Sequence, residues 1–172
     1  MARYSASILS QTAQLSGVNA TTTVNGYMGY WGGSATSGFR LRRVQLGTIA
    51  AASVPTSQQV SVGIFRQTVA PSGTGIAAAV PGQPFETHTP QTDPTAGIFA
   101  ITATTIGTTG PTLATNPLFV IPFNTQTTLD VPWEFYEEII SAIGTASGIA
   151  FVNIGNTLPP NHQIRINVEI EV

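Results

Sequence analysis

The sequence contains no cysteine and no lysine, and only 8% of its 172 residues are charged, where soluble domains carry roughly a quarter. Without cysteine there is no disulfide, no thiolate nucleophile and no Cys-ligated zinc, so stability must come from the core and from interfaces. All six basic residues are arginines, set against eight acids. Six cations in a chain of net charge −2 supply no basic footprint for a polyanion, and nucleic acid is not an expected partner. No window approaches the roughly 20 continuous apolar residues of a membrane span. The first residues, from Met1 to Ser10, hold one arginine but no apolar stretch of the kind a secretion signal needs. A chain without a membrane partner, maturing in a cytoplasm, is the expectation.

What is present instead is threonine, serine, asparagine and glutamine, with 17 glycines and 12 prolines. With 42% hydrophobic residues and a mean hydropathy of +0.19, the chain has the apolar content to fold, and its length suits one domain over residues 1–172. Its surface is expected to be polar but barely ionic. Burying an unpaired ion costs several kcal/mol, so a surface that neighbours will cover is expected to lack ions. Weak net charge also leaves little repulsion between copies. Alternatively, a secreted β-rich protein would be threonine-rich through strand propensity alone.

Period-two alternation runs through the sequence. His162, Ile164, Ile166, Val168, Ile170 and Val172 share one face of a C-terminal strand, and Gln163, Arg165, Asn167, Glu169 and Glu171 the other. In the segment 38–47, Phe39 and Leu41 lie on one face but Val44 and Leu46 on the other, which predicts a bulge near Arg42 and Arg43. Val60, Val62 and Ile64 continue the pattern. Further strands are predicted over 97–106, 118–123, 127–133 and 148–154, each bounded by Gly, Pro, Asn or Ser. Leu118, Phe119, Val120 and Ile121 are apolar on both faces, as suits a central strand or one buried by a neighbouring subunit. Residues 133–140 read as loop then strand, although Pro132 ahead and Gly144 behind also suit a short helix. The stretch from Ala70 to Pro94 reads as a long Pro/Gly/Thr-rich loop. Residues 1–23 read as an extended arm that orders on a partner. Eight or so short strands with little helix predict an all-β fold, an antiparallel β-sandwich of jelly-roll type.

No catalytic constellation emerges. His88 and His162 stand apart from each other and from any carboxylate at metal-ligand spacing, so neither metal nor other cofactor is expected. Residues Gly32 to Gly38 are glycine-rich, but no lysine follows as a phosphate loop requires, and a turn is expected. Glu134, Glu137 and Glu138 are the one acidic cluster, the minimum for glycosidase chemistry, with Trp133, Phe135 and Tyr136 beside them as core, interface or sugar-binding rings. Arg40, Arg42 and Arg43 form a basic stripe, either salt-bridged to acids of a neighbouring subunit or solvated and paired within the chain. Tyr27, Tyr30 and Trp31 lie in a glycine-flanked aromatic turn and suit interface anchors or a carbohydrate platform.

Several of these pieces together resemble small virion proteins of tailed bacteriophages of actinobacteria. They are the Arg-Tyr-Ser-Ala start at Arg3 to Ala6, residues Gly38 to Val44, Val60 to Thr68, Asp93 to Ala96, Trp133 with its acids, Gly148 to Phe151, and the acidic final strand at Glu169 to Glu171. The resemblance implies a jelly-roll decoration (cement) or fibre-type protein, a homotrimer bound to the major capsid protein on the outer surface of the virion, made in the host bacterial cytoplasm. It carries over no catalytic residue. A tail or fibre component recognising the host surface and a secreted carbohydrate-binding sandwich stand as the alternatives.

Overall fold

Alternating side chains dominate the structure as they do the sequence. The structure, a computed structural model, describes residues 3–10, 16–17, 26–32, 38–50, 55–69, 83–84, 97–100, 112–134, 138–142 and 148–171. Twelve strands form among them: β1 (Arg3–Leu9), β2 (Tyr27–Gly32), β3 (Phe39–Ala50), β4 (Gln59–Val69), β5 (Gln83–Pro84), β6 (Gly97–Ala100), β7 (Thr112–Leu113), β8 (Phe119–Asn124), β9 (Leu129–Pro132), β10 (Ile139–Ser141), β11 (Gly148–Asn153) and β12 (His162–Glu171). No helix occurs among the described residues.

Two six-stranded antiparallel sheets result. One runs β10-β3-β12-β1-β5 with β9 also on β3, and the other β6-β2-β11-β4-β7 with β8 also on β4. The winding follows from eight of the strands. The first pairs with the last (β1 with β12), the second with the last but one (β2 with β11), β3 with β9, and β4 with β8. This nested pairing is one long hairpin, and the added pairs β3 with β12 and β4 with β11 roll it into two sheets. The expected β-sandwich of jelly-roll type is therefore the observed fold.

The inward faces of both sheets make one core. Ile164, Ile166, Val168 and Ile170 of β12 and Leu41, Val44 and Leu46 of β3 face Val60, Val62 and Ile64 of β4 and Ile149 and Phe151 of β11. Trp31 meets Phe151 edge to face, ring centroids 4.9 Å apart, a geometry that aromatic quadrupoles favour. The bulge expected near Arg42 is present. Glu169 stands opposite Arg43 but Ile170 opposite Leu41, so Arg42 is the extra residue that returns β3 to phase.

The two outer faces differ. The face carried by β2, β11 and β4 is itself apolar and buried, with Tyr27, Tyr30, Phe65, Ala150 and Val152 in a second cluster. Strands buried on both faces lose polar alternation, which is why β2 did not read as a strand. Tyr27, Tyr30 and Trp31, expected in an interface turn, are instead strand residues of the chain's own core, at most 2% exposed. The outer face carried by β3, β12 and β1 is polar.

Other expectations change in detail. Leu118 to Ile121 do not form a central strand. β8 has a partner only in β4 among the described residues, Ile121 alone of the four is buried, and Leu118, Phe119 and Val120 are each more than 40% exposed. Pro122, with no N–H to offer, sits where an edge strand tolerates it. The first residues are not a free arm: β1 pairs with β12 from Arg3 to Leu9, and the Ser10 amide donates to the Ile164 carbonyl at 2.8 Å. Residues 133–134 and 138 flank β10 as non-strand, in line with loop then strand. Of the long loop from Ala70 to Pro94, the described part is β5, paired with Tyr4 and Ser5. Phe135, Tyr136, Glu137, His88, residues 33–37 and 101–106 lie outside the described residues.

Two close fits yield predictions. A Cβ on Gly148 would stand 1.9 Å from the Trp31 carbonyl oxygen, so Gly148→Ala must break the β2–β11 pairing and is expected to destabilise more than the core truncation Ile166→Ala, itself about 3 kcal/mol by urea unfolding. Burial pushes the Tyr30 phenol up to about 12. It pushes Tyr27 well above the ordinary value, and the neighbouring Tyr30 adds to the rise. Raised folded values mean that the unfolded chain loses these protons first, so stability is lost as pH rises above about 10. Titration by tyrosinate absorbance should show both rings silent at pH 10 and ionising together with unfolding.

Candidate functional site: an ion-paired sheet face

Charge is scarce in this chain and is not spread evenly. Four of the six arginines (Arg3, Arg40, Arg42 and Arg43) and four of the eight acids (Asp130, Glu138, Glu169 and Glu171) gather at one end of the polar face of β3, β12 and β1. The register explains the gathering. It sets Arg3 beside Glu171, Glu171 beside Arg40, and Glu169 beside Arg43. The bulge places Arg42 and Arg43 on the same side as Arg40, where strict alternation would have turned one of them inward.

Arg42 is the centre of the cluster. Its Nε donates to Glu171 and its Nη1 to Glu138. The three side chains are only 14%, 7% and 4% exposed respectively. Arg40 approaches the same Glu138 oxygen at 3.9 Å. Arg43 grips Asp130 through two parallel bonds, one of them Nε to Oδ1 at 2.6 Å, and reaches Glu169 at 3.3 Å. The fork of a guanidinium matches a carboxylate in this way, where lysine could not. The three arginines expected to meet acids of a neighbour or to pair internally are thus paired within the chain.

The electrostatics follow the geometry. The hydrogen bond from Arg42 holds the Glu171 carboxyl below its ordinary value, assisted by the charges of Arg42, Arg3 and Arg40. Arg43 does the same for Asp130. These carboxylates join five strands: β12 and β3 through Glu169 and Glu171, β9 through Asp130, and β10 through Glu138 just ahead of it, with β1 contributing Arg3.

Beside the cluster, Arg3, Arg42, Arg43, Pro132, Trp133 and Glu169 line a cleft of about 390 Å3. The Trp133 amide donates to the Arg42 carbonyl at 2.9 Å, which fixes the chain leaving β9 against the bulge. Its ring meets Phe119 of β8 edge to face at 5.6 Å, linking the two sheets at this side of the sandwich. A second depression of about 420 Å3 lies further along the same face, where Gln45, Asp130, Arg165 and Asn167 supply amide and charged groups.

The arginines, Trp133 and Glu138 are legible in the sequence as candidate residues, but not which acid holds which arginine. The alternation of Glu169 and Glu171 was visible; that they stand opposite Arg43 and Arg40 required the register. Glu138, weighed as one of a catalytic acid cluster, is an ion-pair partner of Arg42, while Glu134 is exposed. His162 is buried, accepting at Nε2 from the Thr56 amide with Nδ1 2.9 Å from the Pro160 carbonyl, a structural pair of contacts at the entry to β12. Among the described residues no group of three His, Cys, Asp or Glu side chains is placed to hold a metal.

No protein-family model matches the chain, and neither a curated protein nor a solved structure does.

Acid should loosen this face. Because Glu171 binds its proton more weakly in the folded chain than the ordinary value of 4.5, the unfolded state takes up protons first, and stability present above that value is lost as pH falls through the folded one. Glu171→Gln is therefore expected to be less stable than the parent at pH 7, and its stability to vary less between about pH 4.5 and 2. Denaturant unfolding across that range measures both.

Proposed function

We propose that this protein is a non-enzymatic structural part of a virion, a capsid decoration protein that binds the outer surface of the major capsid lattice as a homotrimer and stabilises it. The observation that carries the self-associating part of this reading is the edge of the sandwich at β8. Leu118, Phe119 and Val120 are three consecutive exposed apolar residues there, each more than 40% exposed, and Ile140 of β10 is 53% exposed. A run of exposed apolar residues at the edge of a sheet is surface that a neighbour can cover. Sequence pattern had set a neighbouring subunit beside a central strand as the two ways to cover these residues, and the central position is not the one they occupy.

The internal pairing of the arginines supports the same reading. A face whose ions are already matched needs no ion from a partner, and the rest of the charge-poor surface is free to be covered without stranding a charge. One trimer touching several capsid subunits would gain avidity from effective concentration without a tight single contact. The virion location itself rests on the resemblance to small phage virion proteins. A host-recognising tail component uses the same fold; of the aromatic residues that reading relies on, Tyr27, Tyr30 and Trp31 are buried and Trp133 is half-buried against Phe119.

Light scattering on the purified protein is expected to give a mass near three times that of the 18.0 kDa chain. Val120→Arg, at an exposed position, should lower that mass towards one chain while the far-ultraviolet spectrum stays that of a β-sandwich. A parent that is monomeric at every concentration would count against the trimer. In purified particles the copy number should be a fixed fraction of that of the major capsid protein; a few copies per particle would defeat the decoration role and leave the tail.

A further inference from the structure

Gly47 lies within β3, and nothing in the fold requires a glycine there. A Cβ on Gly26, Gly38, Gly63, Gly148 or Gly155 would stand between 1.9 and 2.6 Å from another atom, whereas one on Gly47 would meet only Thr128 Cγ2, at an ordinary 3.5 Å. Its backbone is not left-handed, and its pairing with Arg165 lies away from the bulge. A glycine inside a strand costs stability, and where neither bulge nor bend explains it, it marks a place that a ligand or another backbone approaches closely.

This bare floor belongs to the depression of about 420 Å3, a volume within the roughly 300–1,000 Å3 of ligand sites. Its walls face outward together. Leu46, Ile164, Ile166 and Val168 are turned into the core and Leu129 packs on it, so alternation puts Gln45, Gly47, Thr128, Asp130, Arg165 and Asn167 on the outer side. The register gathers them: Arg165 stands opposite Gly47, Asn167 opposite Gln45, and Gln45 opposite Asp130.

The charges there are not equally available. Asp130 is held by two bonds from Arg43 and one from Gln45. Arg165 is exposed and has no ion-pair partner among the described residues, with β3 lying between it and Asp130. The free charge is therefore positive, and a partner that covered the depression without bringing an acid would strand it. Gln45, oriented by its bond to Asp130, and Asn167 present amide oxygens and N–H groups. The peptide groups on either side of an inserted side chain need both. We propose that this depression receives one Asp or Glu side chain from a projecting segment of another protein. Its carboxylate lies on Arg165, its stem over Gly47, and its flanking peptide groups on Gln45 and Asn167.

Nitrogen-15 spectra of the full-length protein test this with the tripeptide glycine-glutamate-glycine, blocked at both ends and titrated to about 20 mM, since a contact of this size binds near the millimolar level. The Gly47 amide, the Asn167 side-chain amide and the Arg165 Nε–H should move saturably, while the buried Trp31 indole stays still. The blocked glutamine analogue and free glutarate should each bind at least fivefold more weakly, and salt at about 0.5 M should weaken the glutamate peptide at least twofold. Arg165→Gln, at an exposed position, should fold as the parent does and lose at least fivefold in affinity. Gly47→Ala should melt about 1–4 °C higher and bind at least threefold more weakly. Silent Gly47, Asn167 and Arg165 signals overturn the proposal, as does unchanged binding in either variant. A glutamine peptide that binds as well overturns the role of charge, and glutarate binding as well would define a small-anion site instead. Gly47→Ala melting below the parent would show that the fold needs the glycine, which removes the premise. Oligomeric state and copy number in a particle enter none of these outcomes, so this proposal and the decoration reading fail separately.

Discussion

β12 is hydrogen-bonded along both edges, to β1 on one side and to β3 on the other, and the rest of the sandwich is built around that double pairing. Its four isoleucine and valine side chains from Ile164 to Val168 and Ile170 face the core with almost no exposure, so a slip of one residue would turn all of them to solvent and bring the acids inward. The turn that delivers the chain to this strand is equally specific. The His162 amide donates to the Pro159 carbonyl at 3.2 Å, Pro160 sits at the first central position, and Asn161 takes the left-handed conformation at φ 62°. Proline followed by asparagine is the pairing that a type II turn favours.

The same strand also organises the charges. Once β12 is in register, Glu169 and Glu171 must stand beside β3, and the extra residue at Arg42 brings two consecutive arginines to them. A bulge costs a ladder hydrogen bond and bends the strand. Here its carbonyl accepts from Trp133 instead, so the irregularity that corrects the phase of the core also positions the ion cluster and one wall of the cleft. An exposed ion pair contributes little to stability. Arg42 differs because Glu138 and Glu171 are almost fully covered, and removing the arginine would leave these two carboxylates as like charges in a poorly solvated place.

The sandwich has two unlike outer faces, and this asymmetry separates its roles. The face of β2, β11 and β4 is apolar and buried, so its aromatic residues serve the fold. The face of β3, β12 and β1 is polar, carries most of the charges and holds both clefts. Exposed apolar residues occur on both sheets: Val120 of β8 stands opposite Gly63 of β4, and Ile140 of β10 opposite Arg40 of β3.

Much of the architecture was legible in residue order alone. Alternation from His162 to Glu171, the phase change at Arg42 and Arg43, and the scarcity of ions are local properties, and they determined an all-β chain with a bulge in β3 and a surface nearly without charge. β2 was harder to see, because it is apolar on both sides and lacks the contrast on which pattern reading depends; β1 does alternate, Tyr4, Ala6 and Ile8 against Arg3, Ser5 and Ser7, but its small and polar residues also suit an arm. Which face Tyr27, Tyr30 and Trp31 occupy, that Leu118 to Val120 lie at an edge, and which acid meets which arginine were decided only by the tertiary structure. The physical reason is common to all three. Burial and ion pairing depend on what the neighbouring strand brings alongside, and in this fold the neighbours are mostly far away in sequence: Arg42 meets Glu171 across 129 residues.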